Sequence, residues 1–381
     1  MSLGSVEFLY SLAVPGVQAL KPYEPGKPLE ELEREFGITE AVKLASNENP
    51  LGMSPYATQA IEAGLTNASL YPDGNAFYLK QALASFLSND SLKVSEDQIT
   101  VGNGSNDVLE IIARCFVTAH DAIMYSQHAF AVYPIVTQAI GATHQKVPAL
   151  DWGHDLDAMA EAINNDTKLI FIANPNNPTG TFLKSSGLKS FLKNLPENIL
   201  VVVDEAYHEY VNREDYESAL NWMDQFPNLI ICRTFSKSYG LAGLRVGYCV
   251  SHPEITNILN RVRQPFNVNN LALIAAQAAL SDQSFIHDSV ALNQVGKQKL
   301  YNAFDEMGLD YIISEGNFVA LDVKQDVETV NLALLKKGVI IRPIAAYEMP
   351  TFIRVSVGNE AEINRFISAL SEVLEESGST L

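Results

Sequence analysis

The chain has 381 residues, of which 47% are hydrophobic and 19% charged, a composition typical of folded globular proteins and a length sufficient for two domains. Its 26 lysines and arginines stand against 45 aspartates and glutamates, and the net charge of −19 argues against nucleic acid as a partner. The three cysteines are too few for a disulfide framework, and none of them forms a CxxC pair. The seven histidines do not show the spacing typical of metal ligands, so we predict no metal site. No apolar run reaches membrane-spanning length and the N-terminus lacks a basic signal sequence, so we expect a cytoplasmic protein without membrane association.

The N-terminal region combines an extended arm with a polar turn. Residues 20–30 contain three prolines and predict an arm that carries Tyr23 and leads into a short helix at 29–36. Residues 43–52, KLASNENPLG, predict a short strand followed by an amide-rich turn that includes Asn49. Amide side chains donate and accept hydrogen bonds without charge, so this turn suits either ligand orientation or simple turn formation.

A glycine-rich turn at 99–107, ITVGNGSND, follows helices predicted at 55–63 and 76–88. It lies between a predicted strand and a helix that Ser105 and Asn106 open. The free amides and the positive dipole end of such a helix favour phosphate binding. Because the full GxGxxG and GxxxxGK[ST] patterns are absent, the turn predicts a phosphate cup but neither a dinucleotide fold nor a nucleotide P-loop.

Between residues 121 and 250, apolar strands alternate with helices predicted at 134–140 and 188–194. We predict strands at 121–125, 168–173, 199–204, 229–233 and 246–250. Continuous apolar strands separated by helices predict an α/β fold with a mostly parallel sheet covered on both faces. Ligands of such sheets bind outside the carboxyl ends of the strands, where this sequence places Asn177, Asp204, Tyr207 and Lys237.

Beyond residue 251 the pattern changes to long helices followed by short strands. We predict helices at 253–264, 269–282, 284–307 and 360–375, and strands at 311–313, 318–323, 339–341 and 352–357. These elements predict a second, smaller α+β domain. We assign the arm and the start of the small domain to 1–45, the large domain to 46–260 and the remainder of the small domain to 261–381.

The segment Thr234–Tyr248, TFSKSYGLAGLRVGY, combines a lysine, a serine and an arginine with glycines that let the backbone come close to a ligand. Ser236 supplies a hydroxyl and Arg245 a guanidinium fork, two side-chain types suited to phosphate. A lysine beside a bound phosphate is what a Schiff-base cofactor needs, and pyridoxal phosphate (PLP) is the common one. Lys237 is therefore the candidate catalytic residue.

The residues at the strand ends match the remaining demands of PLP. A carboxylate must keep the pyridine nitrogen protonated, and Asp204 fits that role. Asn177 and Tyr207 can donate to the phenolate oxygen, and Phe130 can stack on the ring. We predict that the phosphate binds Ser105, Asn106, Ser236 and Arg245.

Several motifs resemble those of a known family. TFSKSYGLAGLRVGY resembles the lysine motif of fold type I PLP enzymes of the aspartate aminotransferase type, and NPNNPTG and VVDEAY resemble their ring-binding motifs. LKPYEPGK, KLASNENPLG, YPDGNAFYLK and GVIIRPIAAYEMPTFIRVSVG resemble the histidinol-phosphate aminotransferases within that superfamily. The resemblance covers essentially the whole chain and implies transamination of L-histidinol phosphate with 2-oxoglutarate in histidine biosynthesis.

The resemblance also implies a homodimer whose active sites lie at the subunit interface. Tyr71 would reach the PLP phosphate of the other subunit. Arg354, with Arg342, Tyr23 and Asn49, would bind the substrate. Histidinol phosphate lacks the α-carboxylate of an amino acid, so the arginines would hold its phosphate, a bidentate task that lysine does poorly.

Two positions depart from the family pattern and keep other functions open. Phe130 replaces a common tyrosine, which preserves stacking but loses a hydroxyl. Glu348 replaces a usual glycine, and a carboxylate near a phosphate site weakens anion binding unless it points to solvent. An aromatic or broad-range aminotransferase and a phosphoamino-acid decarboxylase are therefore alternatives. A PLP-sensing transcription regulator fits poorly, because the motifs begin near Tyr23 and the chain is strongly acidic.

Overall fold

The computed structural model describes residues 4–22, 27–38 and 40–378. Its α-helices, α1 to α14 in chain order, are Gly4–Ser11, Pro15–Gln18, Leu29–Phe36, Pro55–Gly64, Phe77–Leu87, Ser105–Phe116, Val132–Ile140, Leu156–Ala162, Ser185–Lys193, Pro253–Val262, Asn270–Ser281, Gln283–Glu306, Val327–Lys336 and Glu360–Gly378. Its strands, β1 to β13, are Val42–Lys43, Ile99–Gly102, Ala122–Ser126, Thr143–Val147, Thr167–Ala173, Leu200–Asp204, Leu229–Thr234, Gly247–Val250, Asp310–Ile312, Phe318–Asp322, Val339–Ile340, Arg342–Pro343 and Phe352–Ser356.

A seven-stranded sheet forms the centre of the larger part of the molecule. Its strand order is β2-β8-β7-β6-β5-β3-β4; β8 is antiparallel to both neighbours and the other pairs are parallel. This arrangement confirms the predicted mostly parallel sheet. Because β5, β6 and β7 are parallel and in register, with Ala173 beside Asp204 and Asp204 beside Cys232, their carboxyl ends meet at one edge.

Both faces of this sheet are covered by apolar side chains from the surrounding helices. In β5, Ile170 and Ile172 pack into one core, whereas Leu169 and Phe171 pack into the other. Successive side chains of a strand point to opposite faces, so a strand that is apolar at every position needs burial on both sides. Each fully buried side chain of this kind contributes about 1.5–3 kcal/mol of hydrophobic stabilisation.

The smaller part of the molecule contains a four-stranded antiparallel sheet, ordered β12-β13-β10-β9, and shares a separate core with α12, α13 and α14. β1 pairs in parallel with β11, so the segment after the N-terminal arm joins this part. α11, however, packs on α4 and α5 in the core of the large sheet. The boundary near residue 260 remains a prediction, and the packing of α11 favours a later one within α12.

The sequence reasoning missed β4, α8 and α13. β4 reads THQKV, and its polar, largely exposed residues lack the apolar signal of the inner strands. α13 did carry a signal, because the Asp326 side chain caps it by accepting a hydrogen bond from the backbone N–H of Thr329 at 2.9 Å. Within the described ranges, no helix is both long and apolar enough to cross a membrane.

Candidate active site

A cavity of about 270 Å³ lies at the carboxyl ends of β5, β6 and β7. It brings together most of the predicted site residues: Ser105, Asn106, Phe130, Asn177, Asp204, Tyr207, Ser236, Lys237, Arg245 and Arg354. These side chains come from both parts of the molecule, because Arg354 lies on β13 whereas the others belong to the large sheet and its loops. The crevice at the sheet edge is therefore closed by the smaller part.

Lys237 lies on the loop that follows β7, with its Nζ donating a hydrogen bond to the carbonyl of Ser46 at 3.0 Å. The same atom lies 5.8 Å from the centre of the Tyr207 ring. Burial, assisted by the positive charge of Arg354, lowers the pKa of Lys237 to about 7. A lysine with this pKa is largely uncharged at slightly alkaline pH, and the neutral amine is the form that acts as nucleophile or base.

Asp204 is the last residue of β6, and its carboxylate is buried. One oxygen, Oδ2, accepts a hydrogen bond from the hydroxyl of Tyr133 at 2.9 Å, while Oδ1 has no hydrogen-bond partner within the described part of the chain. Burial raises the pKa of Asp204 to about 6. A buried carboxylate oxygen without a donor is costly, and a protonated pyridine nitrogen is a donor that would satisfy it. This oxygen fits the PLP ring.

The residues of the predicted phosphate cup come together where α6 begins. Gly104, at a φ of 83°, caps the helix, and a Cβ there would lie 2.5 Å from Nη2 of Arg245. A Cβ on Gly247 would lie 2.5 Å from the backbone nitrogen of Ser105. Arg245 also donates to the Ser236 hydroxyl at 3.4 Å. The lack of a Cβ at Gly247 lets the backbone come close to the amide of Ser105, and the helix amides, the hydroxyl and the guanidinium together make a candidate anion site.

Tyr207 and Asn177 line the cavity with Arg354. The Tyr207 hydroxyl accepts a hydrogen bond from Nδ2 of Asn47 at 2.9 Å, and burial raises the pKa of Tyr207 to about 12, which keeps it protonated as a donor. Arg354 donates from Nη1 to Oδ1 of Asn177 at 2.6 Å and from Nη2 to the carbonyl of Ala45 at 2.8 Å. The guanidinium is thereby held at the junction of the two parts.

Arg342 lies directly opposite Arg354 in the β12–β13 ladder, yet it lines a neighbouring cavity of about 1090 Å³. Tyr347 lines both cavities. Directly opposed residues of an antiparallel pair lie on the same face of the sheet, so the two arginines are close neighbours.

Glu348, which stands where the family usually has glycine, occupies the left-handed region with a φ of 62°. This backbone conformation is costly for most residues and least costly for glycine. The carboxylate forms an ion pair with Lys146 and accepts a hydrogen bond from Gln127 at 2.7 Å. These partners, Lys146 first, lower the pKa of Glu348 and offset its charge. The expected weakening of the anion site is therefore reduced by local pairing.

Two further predicted residues, Asn49 and Tyr71, do not line this cavity. Asn49 is buried and donates from Nδ2 to the carbonyl of Ser238 and the hydroxyl of Ser289, both at 2.8 Å, so it braces the loop instead of lining the cavity. Tyr71 is 82% exposed and stacks on Phe266 away from the cavity of its own chain. Tyr23 falls outside the described residues.

The structure also shows site residues that the sequence reasoning did not select. Asn47, two positions before Asn49, lines the cavity and bonds to Tyr207, and its φ of 55° turns its side chain inward. Tyr133 bonds to Asp204 but resembles an ordinary core residue of an apolar helix in the sequence. No group of three or more histidine, cysteine, aspartate or glutamate residues is arranged to hold a metal in the described chain.

Comparison with known proteins places these features in a family. The model of the family "Aminotransferase class I and II" matches residues 39–370. Histidinol-phosphate aminotransferase 1 of Nitrosococcus oceani is 55% identical, over 96% of this chain and 98% of that protein. Histidinol-phosphate aminotransferase 2 of Pseudomonas aeruginosa is 52% identical, with the same coverage of 96% and 98%.

Solved structures agree with this relationship. The crystal structure of histidinol-phosphate aminotransferase from Sinorhizobium meliloti in complex with pyridoxal-5'-phosphate has a TM-score of 0.87 at 30% identity, and covers 95% of this chain and 97% of that chain. An aspartate aminotransferase double mutant from Thermus thermophilus, at 20% identity, shares the fold with a TM-score of 0.83 over 94% of this chain and 99% of that one. The chain belongs to the class I and II aminotransferases, and within them to the histidinol-phosphate aminotransferase family.

Proposed function

We propose that this chain transfers the amino group of L-histidinol phosphate to 2-oxoglutarate, forming imidazole acetol phosphate and glutamate, with PLP as its cofactor. The observation that carries the proposal is the meeting of Lys237, the Asp204 carboxylate with its unbonded Oδ1, and Arg354 around one cavity. The identity of 55% to a histidinol-phosphate aminotransferase supports the choice of substrate.

The chain's own residues account for the chemistry. When bound, PLP supplies an electron sink that accepts the amino group from one substrate and passes it to the next. Asp204 would keep a positive charge on the ring nitrogen, and Asn177 and Tyr207 would orient the phenolate side. The cup at Ser105 and Arg245 would hold the phosphate. Nζ of Lys237, whose pKa is lowered to about 7, can take a proton from the amine-bearing carbon of the substrate and deliver it to the cofactor carbon that receives the amino group.

The arginine pair fits both substrates. Histidinol phosphate carries a phosphate ester, and 2-oxoglutarate carries two carboxylates. A guanidinium can bind each of these anionic groups through two parallel hydrogen bonds. Arg354 presents its guanidinium to the cavity, and Arg342 lies opposite it on β12. One anion-binding region can therefore serve both half-reactions.

A direct assay tests the function. Purified protein with PLP, histidinol phosphate and 2-oxoglutarate is expected to form glutamate in an amount equal to the histidinol phosphate consumed. Release of CO₂ without glutamate formation would instead identify a decarboxylase.

The ionisation of Lys237 gives a pH prediction. Its ordinary pKa of 10.5 is lowered to about 7, so the amine gains nucleophilic character as pH rises through about 7 rather than near 10. The rate at which apo-protein takes up PLP covalently is expected to increase up to about that pH and then level off. Stopped-flow absorbance after mixing measures this rate. A rate that keeps rising to pH 10 would contradict the lowered pKa.

We also propose that the protein acts as a homodimer in which Tyr71 completes the active site of the partner. Tyr71 is highly exposed, and Leu70, Phe77 and Tyr78 nearby are exposed as well. Exposed apolar side chains in such a group are typical of a surface that another protein covers. Tyr71 lies away from the cavity of its own chain, which suits a role across the interface.

Hybrid dimers test this sharing. A Lys237→Ala subunit paired with a Tyr71→Ala subunit has one site with both changes and, if Tyr71 acts across the interface, one intact site. Mixing the two impaired parents is therefore expected to restore activity to half of the sites in each hybrid. If Tyr71 acts within its own subunit, no hybrid has an intact site and mixing restores nothing.

A further inference from the structure

Tyr133 provides a hydrogen bond to the carboxylate that faces the cofactor. It lies near the start of α7, is completely buried, and donates its hydroxyl to Oδ2 of Asp204 at 2.9 Å. The other oxygen, Oδ1, has no hydrogen-bond partner among the described residues. The two oxygens of the Asp204 carboxylate therefore differ: Oδ2 is hydrogen-bonded to Tyr133, whereas Oδ1 is available to a ligand.

The ring of Tyr133 is fixed from two sides. It stacks on Phe171 of β5 with ring centres 4.6 Å apart and planes inclined by 6°. It also makes a T-shaped contact with Phe130, the residue predicted to stack on the PLP ring, with ring centres 5.9 Å apart and planes inclined by 87°. A side chain packed in this way keeps one rotamer, so its hydroxyl stays at a defined position.

We propose that Tyr133 is a positioning residue: its hydroxyl holds Oδ2 of Asp204 so that Oδ1 is presented to the pyridine nitrogen, and its ring supports Phe130 beside the same cofactor. This inference rests on the proposed function, because it assumes that PLP occupies the cavity. Tyr133 acts through Asp204 and Phe130 and does not itself contact the reacting atoms.

The charges around Asp204 show what the hydroxyl contributes. The titratable groups that face it are Tyr133 from α7, Cys232 from β7, and Glu205 and Tyr207 from the loop after β6. Burial raises the pKa of Asp204 to about 6, and the hydrogen bonds from the Tyr133 hydroxyl and, second to it, from the backbone N–H of Ala206 act against this rise. Burial also raises the pKa of Tyr133 and of Cys232 well above their ordinary values, so both remain protonated.

Glu205, the nearest other carboxylate, stays ionised. Although its burial acts in the opposite direction, the guanidinium of Arg233 at 2.8 Å and the hydroxyl of Ser218 at 2.7 Å keep the pKa of Glu205 below its usual value. Its negative charge disfavours a second charge on Asp204. Without the Tyr133 hydroxyl, Asp204 would therefore hold its proton to a higher pH and would stabilise a protonated ring nitrogen less.

Tyr133→Phe removes the hydroxyl and keeps the ring. In apo-protein, infrared difference spectra against Asp204→Asn are expected to show the Asp204 carboxylate forming at a higher pH in Tyr133→Phe than in the parent. In the holoenzyme, kcat is expected to fall about 10- to 100-fold, the range that corresponds to a lost hydrogen bond to a charged group. KM for the amino donor is expected to stay within about a factor of three, because the anion site is untouched.

Tyr125→Phe is the matched control. Tyr125 is buried in the same core, and its hydroxyl bonds to His144 rather than to Asp204. Its removal is expected to change the unfolding temperature without moving the Asp204 titration. If Tyr133→Phe behaves like this control, with the parental titration and kcat, Tyr133 is merely structural and the inference is wrong. The apo-protein titration needs no substrate, so it separates this failure from a failure of the proposed function.

Discussion

Lys237→Ala is expected to lower kcat by about 10⁴-fold or more, since general-base catalysis alone contributes up to that factor and the covalent attachment is lost as well. The partly buried amine in the cavity, with its lowered pKa, is the group that both roles require. Steady-state kinetics measure the loss, and absorbance spectra of the purified variant measure whether PLP is still attached to lysine.

Lys297→Met serves as the control for this variant. Lys297 is also buried, but its Nζ donates to the carbonyl of Ser314 in the smaller part of the molecule. This variant is expected to keep lysine-bound PLP and measurable turnover. Persistence of the visible band of lysine-bound PLP in Lys237→Ala, without substrate, would overturn the assignment of the catalytic lysine.

Arg354→Lys is expected to lower kcat/KM for histidinol phosphate by about 100-fold, equivalent to about 3 kcal/mol, because lysine keeps the charge but loses the bidentate fork. Arg342→Lys is expected to have a smaller effect, since Arg342 lines the neighbouring cavity. Kinetics of the two variants, measured side by side with histidinol phosphate, rank the arginines.

A structural effect of Arg354→Lys can be separated from a binding effect. The guanidinium also bonds to Asn177 and Ala45, and losing a donor to a buried group costs about 1–3 kcal/mol of stability. Urea unfolding of the variant measures this cost independently of kinetics. A kcat/KM equal to that of the parent would remove Arg354 from the substrate site, whatever the stability.

Much of the fold and of the cofactor site could be predicted from local sequence. β5 and β6 are apolar at nearly every position, and the phosphate cup needs only a strand, a glycine turn and a helix start. Asp204 is the last residue of β6 and Lys237 follows the end of β7, and in a parallel sheet such ends meet at one edge. Their convergence follows from topology, so no knowledge of side-chain contacts was needed.

The remaining features depend on contacts between distant segments. Tyr133 is an apolar-helix residue in the sequence, and its bond to Asp204 appears only when α7 packs on the sheet. Whether Asn47 or Asn49 lines the cavity depends on the backbone angles within one turn, where Asn47 adopts a φ of 55°. Glu348 appeared unfavourable because Lys146, its ion-pair partner, lies 202 residues away in the sequence.

The central claim is that the arginine-lined cavity selects a phosphate-bearing amine. It is tested most directly by comparing kcat/KM for histidinol phosphate and phenylalanine, each with 2-oxoglutarate as acceptor. We expect histidinol phosphate to be preferred by at least about 100-fold, because its phosphate carries more charge and more acceptor oxygens for the arginines than the single carboxylate of phenylalanine. Equal values, or a preference for phenylalanine, would contradict the claim and identify an aromatic aminotransferase.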